Sequence, residues 1–297
     1  FVLSSLLIIT SCGGGGGGGG STAVAKLAAA ISSFTSNIFS TEVGSSVDIS
    51  WSSTNATSCT ASGSWTGSKS TTDSETVEIS TAGESTFTLT CNGEGGNASR
   101  SITIEGYRNI QGVAVDGYIS GASIFIDTDS DYALDSNETS TTSSTDGSFT
   151  IKYENGVLAS LGGQDVDTQT QLDNLLLLRD LSGYSESSFM VTPVTSVAHF
   201  MPSQDIYTVL GLDSDLDIYT TDPVANIGDG GGYDLLYEKG NQLTILAYSL
   251  QNISNSLNSS MDSTADYFKA ISEEIVIAYT DNEATVNIEK DIFIEKV

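Results

Sequence analysis

From residue 31 onward the chain is written in short segments whose apolar residues fall on every second position. Val47, Ile49 and Trp51 alternate with polar neighbours, as do Val77 and Ile79, then Phe87, Leu89 and Cys91, then Ile102 and Ile104. Period two, with Gly, Asn and Ser between the segments, predicts half-buried antiparallel strands. Several such strands in about 75 residues predict a β-sandwich. In a second β segment, Val113, Val115 and Ile119 precede the unbroken run Ile124-Phe125-Ile126. Phe149 and Ile151 close it after the turn signal Asp146-Gly147. At about 45 residues this segment is too short to bury a core of its own, so it must lean on a neighbour.

After Gly156 the texture changes. Residues 172–181 (LDNLLLLRDL) fit a buried strand or a short helix. Thr192-Pro193 reads as an N-cap followed by proline at the first helical position, opening a helix to about Met201. Ser203 would cap another short helix to Leu210, with Gly211 as its C-cap. Leu243, Leu246, Ala247 and Leu250 within 233–257, and Tyr267, Ile271, Ile275 and Ala278 within 263–279, recur at spacings of three and four. Both stretches predict amphipathic helices. The expected fold class is multi-domain: an all-β sandwich over 31–106, a small β-sandwich segment over 107–155, and a mainly α region over 156–297. The last ends inside a patterned segment, NIEKDIFIEKV, and reads as cut from a longer chain.

Ahead of the first strand lie an apolar run at 1–10 (FVLSSLLIIT), Cys12, and eight consecutive glycines at 13–20. The run is about half the length that spans a bilayer. Eight glycines cannot pack into a core and are costly to order, so they read as a tether that continues to residue 30. Ile9-Thr10-Ser11-Cys12 resembles the lipobox of bacterial lipoprotein signal peptides: an aliphatic residue, two small ones, then Cys. That resemblance implies a signal peptide over 1–12 and a mature chain acylated at Cys12. It also implies a place in the cell envelope as an outer-membrane lipoprotein exposed at the surface, with the membrane as partner through the anchor. A secretory signal also carries basic residues ahead of its apolar core. None precedes Lys26, so the reading frame is expected to start upstream.

Charge narrows the partners. Thirty-eight acidic residues against ten basic give a formal net charge of −28. Such a chain repels nucleic acid and anionic head groups and suits a solvated exterior that binds cations. With Cys12 assigned to lipid, Cys59 and Cys91 remain as an even pair in an oxidising compartment. A bridge between them would close a loop of about 33 residues and contribute about 3–4 kcal/mol; two free buried thiols are the other reading. Two cysteines and one distant histidine do not make a metal set.

Residues 43–67 (VGSSVDISWSSTNATSCTASGSWTG) and 80–104 (STAGESTFTLTCNGEGGNASRSITI) resemble bacterial immunoglobulin-like domains of cell-surface proteins. The resemblance implies a Cys59–Cys91 disulfide between strands with Trp51 and Trp65 near it. The order Trp51, Cys59, Cys91 departs from the antibody order, so the bridge should join different strands. Residues 112–131 (GVAVDGYISGASIFIDTDSD) and 145–151 (TDGSFTI) resemble small sandwich repeats of bacterial surface proteins, related in layout to transthyretin-like and collagen-adhesin B-type modules. Residues 191–226 resemble the helical region that follows such segments in large surface proteins.

The sharpest motif is Asp127-Thr-Asp129-Ser-Asp131-Tyr-Ala-Leu-Asp135-Ser-Asn-Glu138. Carboxylates at positions 1, 3, 5, 9 and 12 of a twelve-residue loop match the ligand spacing of an EF-hand-type loop. The carbonyl of Ala133 stands at position 7 and Glu138 is the expected bidentate ligand. No Lys or Arg lies between Arg108 and Lys152, so the carboxylates would repel one another without a cation. Position 6, which normally takes glycine for its positive φ, holds Tyr132. The steric cost is about 1 kcal/mol, unless the turn differs. The flanks read as strands, which resembles the calcium loops between strands of extracellular repeats. The expected cofactor is Ca²⁺ in a structural role.

The remaining candidates are bland. His199, the only histidine, sits beside Val197 and Phe200 and reads as a packing or surface residue. Asp213, Asp215 and Asp217, and likewise Asp165 and Asp167, read as solvated loops. The run GDGGG at 228–232 lacks the Lys-Ser/Thr of a phosphate loop, and no G-x-S-x-G motif marks a serine hydrolase. The expectation is a non-enzymatic, lipid-anchored envelope protein with a structural or adhesive role toward a surface glycan or protein. Two opposing expectations are distinguishable in the structure. An extracellular polysaccharide-acting hydrolase would show carboxylates converging in a cleft. A ligand-binding lipoprotein for uptake would show a concave pocket lined by Tyr233, Tyr237 and Tyr248.

Overall fold

The computed structural model describes residues 25–181, 188–201, 205–256, 264–282 and 285–288. The apolar run, Cys12, the glycines at 13–20 and the cap expected at Ser203 lie outside the described residues. The chain is mostly β-sheet, with a small helical region toward its C-terminus, and packs as two units that divide between Glu105 and Gly106.

The first unit holds β1 (Ala30–Ser36), β2 (Ser40–Glu42), β3 (Ser46–Thr54), β4 (Ser58–Gly63), β5 (Gly67–Lys69), β6 (Thr72–Glu78), β7 (Gly83–Gly93) and β8, which runs Gly96–Tyr107 and so reaches past the division. They form two sheets, β1-β3-β6 and β2-β8-β7-β4-β5. The period-two pattern is realised directly. Val47, Ile49 and Trp51 of β3 point to the same core as Phe87, Leu89 and Cys91 of β7 and Ile104 of β8. Trp65 fills its centre, stacked on Phe34 at 5.8 Å and edge-on to Trp51 at 5.4 Å and Phe87 at 6.0 Å. Both indole N–H groups are satisfied by carbonyls, Trp51 by Ser70 at 2.8 Å and Trp65 by Thr88 at 3.1 Å. Cys59 and Cys91 are bonded to each other. They lie directly opposite in the β4–β7 ladder, so the bridge staples neighbouring strands of one sheet.

The second unit begins with β9 (Asn109–Ala114), β10 (Ile119–Ser120), β11 (Ser123–Asp127), β12 (Ser140–Thr142) and β13 (Ser148–Lys152). The mainly α region expected from residue 156 opens instead with strands: β14 (Val157–Leu161), the short β15 (Gln164–Asp165), β16 (Leu176–Asp180) and β17 (Ser188–Val191). Helices follow as α1 (Pro193–His199), α2 (Ile206–Leu210), α3 (Tyr233–Ser256) and α4 (Thr264–Asn282). The sheets are β12-β11-β14-β16, β13-β9-β17 and β10-β15. The short β segment therefore leans on later strands of its own unit: β14 pairs with β11 and β17 runs parallel to β9.

The added strands escape a period-two reading because the four-stranded sheet is covered on both faces. Ile124, Ile126, Leu158 and Leu177 enter the main core with α1, α3 and α4. Phe125, Val157, Ala159, Leu176 and Leu178 form a second apolar layer with Ala265, flanked by Tyr132 and Phe200. A strand buried on both sides is a continuous apolar run. The outer edge of β16 is closed by side chains: Ser196 Oγ accepts from Leu178 N–H at 2.8 Å, Thr195 Oγ1 donates to Leu178 C=O at 2.9 Å, and Thr264 Oγ1 accepts from Leu176 N–H.

The helix signals hold at Thr192-Pro193 and Gly211, but α2 is capped by Asp205, whose Oδ1 accepts from Tyr207 N–H at 3.2 Å, and not by the expected Ser203. Thr192 caps α1 in a capping box with Thr195 and Pro193 at its first position. Gly211 ends α2 with φ 68°. Tyr267, Ile271, Ile275 and Ala278 of α4 are all buried. Among the described residues no helix is long and apolar enough to cross a membrane.

Candidate metal centre

The acidic loop joins β11 to β12, and its first residue is the last of β11. Asp127 is fully buried. Its Oδ1 accepts the amides of Asp129 at 3.2 Å and Ser130 at 2.6 Å, and Oδ2 accepts that of Tyr132 at 2.9 Å. Three backbone donors satisfy the buried carboxylate's hydrogen-bonding capacity. They also wind the following residues round it, with Ser130 at φ 69° and Tyr132 at φ 61°. Position 6 thus keeps the left-handed backbone that glycine usually supplies, and the turn is not rerouted.

One carboxylate oxygen each of Asp127, Asp129 and Asp131 lies within 4.8 Å of the others. Asp129 is exposed, but partial desolvation within the loop and the charges of Asp131, Asp127 and Asp135 hold its carboxyl above its usual range, a backbone amide opposing them. Asp135 and Glu138 stand outside this group. Glu138, buried, instead closes the loop: Oε1 accepts from Thr128 N–H at 2.8 Å and Oε2 from Asp135 N–H at 3.1 Å. Ala133 donates its own N–H to Asp131 Oδ1 at 2.8 Å. The three donors are carboxylate oxygens, the hard ligand type that Ca²⁺ takes. Asp127, Asp129 and Asp131 would hold it. The ion would neutralise the crowded charge and tie the loop's first half together.

Tyr132 explains the departure from glycine. Its ring packs edge-on to Phe200 at 5.7 Å and His199 at 5.9 Å, and its hydroxyl meets His199 Nε2 at 3.3 Å. Packing at the end of α1 offsets the steric cost of the positive φ. His199 is held below its ordinary pKa by burial, which Asp180 and Asp127 partly counter.

The other acidic stretches serve their own turns. Asp213 Oδ1 accepts from Asp215 N–H at 3.0 Å, Asp217 Oδ1 from Tyr219 N–H at 2.9 Å, and Asp165 Oδ1 from Asp167 N–H at 2.8 Å. In the glycine run, Gly228 N–H is taken by Asp234 at 2.7 Å.

One residue with unusual chemistry has no signal in the sequence. Asp116 lies between β9 and β10 and accepts the Thr244 hydroxyl of α3 at 2.9 Å. Burial pushes its carboxyl up to about 7, against the bond from Thr244 and with added repulsion from Asp165. It borders a cavity of about 10 Å³, room for one water, lined also by Thr192, Tyr237 and Asn241. Neither Tyr233 nor Tyr248 lines that cavity. Burial created by the tertiary fold makes this aspartate unusual, and nothing local in the sequence announces it.

No known family matches the chain, and no curated protein does. Among solved structures, the three N-terminal domains of the highly immunogenic outer capsid protein of bacteriophage RB49 align at 13% identity and TM-score 0.22, over 50% of this chain and 66% of that one. A chimeric titin Z1Z2 aligns at 8% identity and TM-score 0.22, over 57% of this chain and 98% of that one. A quinonprotein alcohol dehydrogenase-like protein from Bacteroides thetaiotaomicron aligns at 9% identity and TM-score 0.23, and the chain spans 48% of its length. Likenesses this slight assign neither a fold family nor a function.

Proposed function

We propose that this chain is a lipid-anchored surface protein of the cell envelope with a structural or adhesive role, its first unit an immunoglobulin-like sandwich braced by the Cys59–Cys91 disulfide and its second unit braced by calcium. The observation that carries this reading is the convergence of Asp127, Asp129 and Asp131 between two strands, organised by backbone amides. A low-affinity calcium brace and a disulfide both suit an oxidising, calcium-rich exterior. The lipobox-like Ile9-Thr10-Ser11-Cys12 supplies the anchor. The hydrolase alternative is less favoured. Asp116 and Asp165 are neighbours, but the cavity at Asp116 takes one water and no sugar.

The test is thermal. Calcium at ten times its dissociation constant stabilises a one-site protein by about 1.4 kcal/mol. For a unit of this size that raises the melting temperature by about 3–6 °C. Helical circular dichroism should show that rise on adding calcium, and Asp127→Ala should abolish it. A melting temperature indifferent to both calcium and chelator would remove the site. Metabolic labelling with a fatty acid, lost in Cys12→Ser, tests the anchor.

A further inference from the structure

We propose that Asn155-Gly156 is a self-modifying site, where the Asn155 side chain closes on the following amide and opens in water to isoaspartate or aspartate. The fold protects the chain's other Asn-Gly pair, Asn92-Gly93.

The two pairs share their chemistry and differ in their surroundings. Ring closure needs a backbone nitrogen free to attack, a follower without a bulky side chain, and an asparagine able to leave extended geometry. Asn92 and Gly93 both lie inside β7. There Asn92 faces Ser58, and its carbonyl accepts from Thr57 N–H at 2.8 Å and Thr57 Oγ1 at 3.0 Å. A ladder residue leaves its strand only when the sheet opens. Asn155 is exposed in the connection between β13 and β14, after the last rung at Lys152 and before the next at Val157. Among the described residues no acceptor takes the Gly156 N–H. The Tyr153 hydroxyl donates to Asn155 Oδ1 at 3.1 Å. It draws electron density from Cγ and meets the charge that builds on that oxygen during attack. Gly156 cannot be exchanged for a bulkier, slower follower, because a Cβ there would lie 2.3 Å from the Asp127 carbonyl oxygen. Packing against the end of β11 thus fixes a glycine behind this asparagine.

The Gly156 nitrogen bonds to Asn155 Cγ, the bond from Cγ to Nδ2 breaks, and ammonia leaves with the proton that the Gly156 amide gives up. Water then opens the cyclic imide. Entry at the main-chain carbonyl gives isoaspartate and entry at Cγ gives aspartate, with one water consumed and one ammonia released. Either product puts a carboxylate where a neutral amide stood. Isoaspartate also lengthens the main chain by a methylene just ahead of Gly156.

The test incubates the full chain at pH 8 in water enriched in the heavy oxygen isotope. Peptide mass spectrometry maps the label, and isoaspartyl methyltransferase detects the isoaspartate. The expected result is label at residue 155 and none at 92 while the chain is folded, and label at both in urea. Tyr153→Phe should slow the reaction at 155 about two- to tenfold, the worth of one hydrogen bond, and Asn155→Gln should remove it. Circular dichroism verifies that each variant is folded, and the comparison of 155 with 92 in the unsubstituted chain stands without either. Equal labelling of the two pairs in the folded chain, or none at 155, overturns the site. Asn92 left unlabelled in urea overturns its protection by β7. An unchanged rate in Tyr153→Phe overturns the part given to the hydroxyl.

Discussion

Replacing Asp116 by asparagine should stabilise the second unit at pH 8 and leave it nearly unchanged at pH 4. Asparagine has the same shape and keeps an acceptor for the Thr244 hydroxyl, but it carries no charge. The carboxyl titrates near 7 in the folded protein and near its ordinary 3.8 when unfolded, chiefly because burial disfavours the ionised form. Between those values the folded chain holds a proton that the unfolded chain has released, so stability falls as pH rises. The contribution is fully present below about pH 4 and gone above about pH 7. Three units of separation correspond to about 4 kcal/mol. Asp116 as a residue is only partly buried. Water relaxes part of the charged form, and about 2 kcal/mol is the expected gain at pH 8. The assay is urea unfolding at pH 4, 6 and 8, followed by circular dichroism at helical wavelengths. The four helices among the described residues all lie in the second unit, so this signal reports chiefly on it. Stability curves that stay parallel from pH 4 to 8, or a variant weaker than wild type at pH 8, would refute the reasoning.

Removing the disulfide with Cys59→Ala and Cys91→Ala should cost the first unit about 3–4 kcal/mol by loop entropy. Both tryptophans, Trp51 and Trp65, lie in that unit, so their fluorescence should lose its transition at lower urea while the helical signal stays put. Ser196→Ala leaves the buried Leu178 N–H without its acceptor, an expected loss of about 1–3 kcal/mol in the helical signal; Ser196→Thr, which keeps the hydroxyl, should recover part of it. Gly112→Ala would bring a methyl 2.4 Å from both the Phe149 ring and the Phe189 carbonyl. Overpacking there should cost about 1–3 kcal/mol in the same urea assay.

Local patterns made much of this fold legible. Alternation at Val47, Ile49 and Trp51, and at Phe87, Leu89 and Cys91, marks strands with one wet face, and those strands stand where the pattern puts them. Thr192-Pro193 and Gly211 mark helix ends through chemistry confined to a few residues. Legibility failed where burial is two-sided. Val157–Leu161 and Leu176–Asp180 have apolar neighbours above and below, so they carry no period to separate strand from helix. The placing of residues 156–191 among helices followed from that ambiguity, and pairing with β11 resolved it. At the loop, the spacing of Asp127, Asp129 and Asp131 announced their convergence. What Tyr132 does there was hidden, because its partners His199 and Phe200 lie 67 and 68 positions away and only the tertiary fold brings them close. Asp116 was hidden for the same reason.

The hydroxyl groups along β16 have a bearing on self-association. Exposed sheet edges recruit strands from other molecules, and proteins usually blunt them with charge, proline or a bulge. Here Ser196, Thr195 and Thr264 stand in for the missing neighbour, answering Leu176 and Leu178 with hydroxyls that no incoming chain can displace without entering the core. The opposite edge of the sheet is β12, only three residues long. Copies brought together at high local concentration would meet this sheet at its edges. This sheet is closed to them at one end and offers them little at the other, so copies can be packed densely without templating fibres through it.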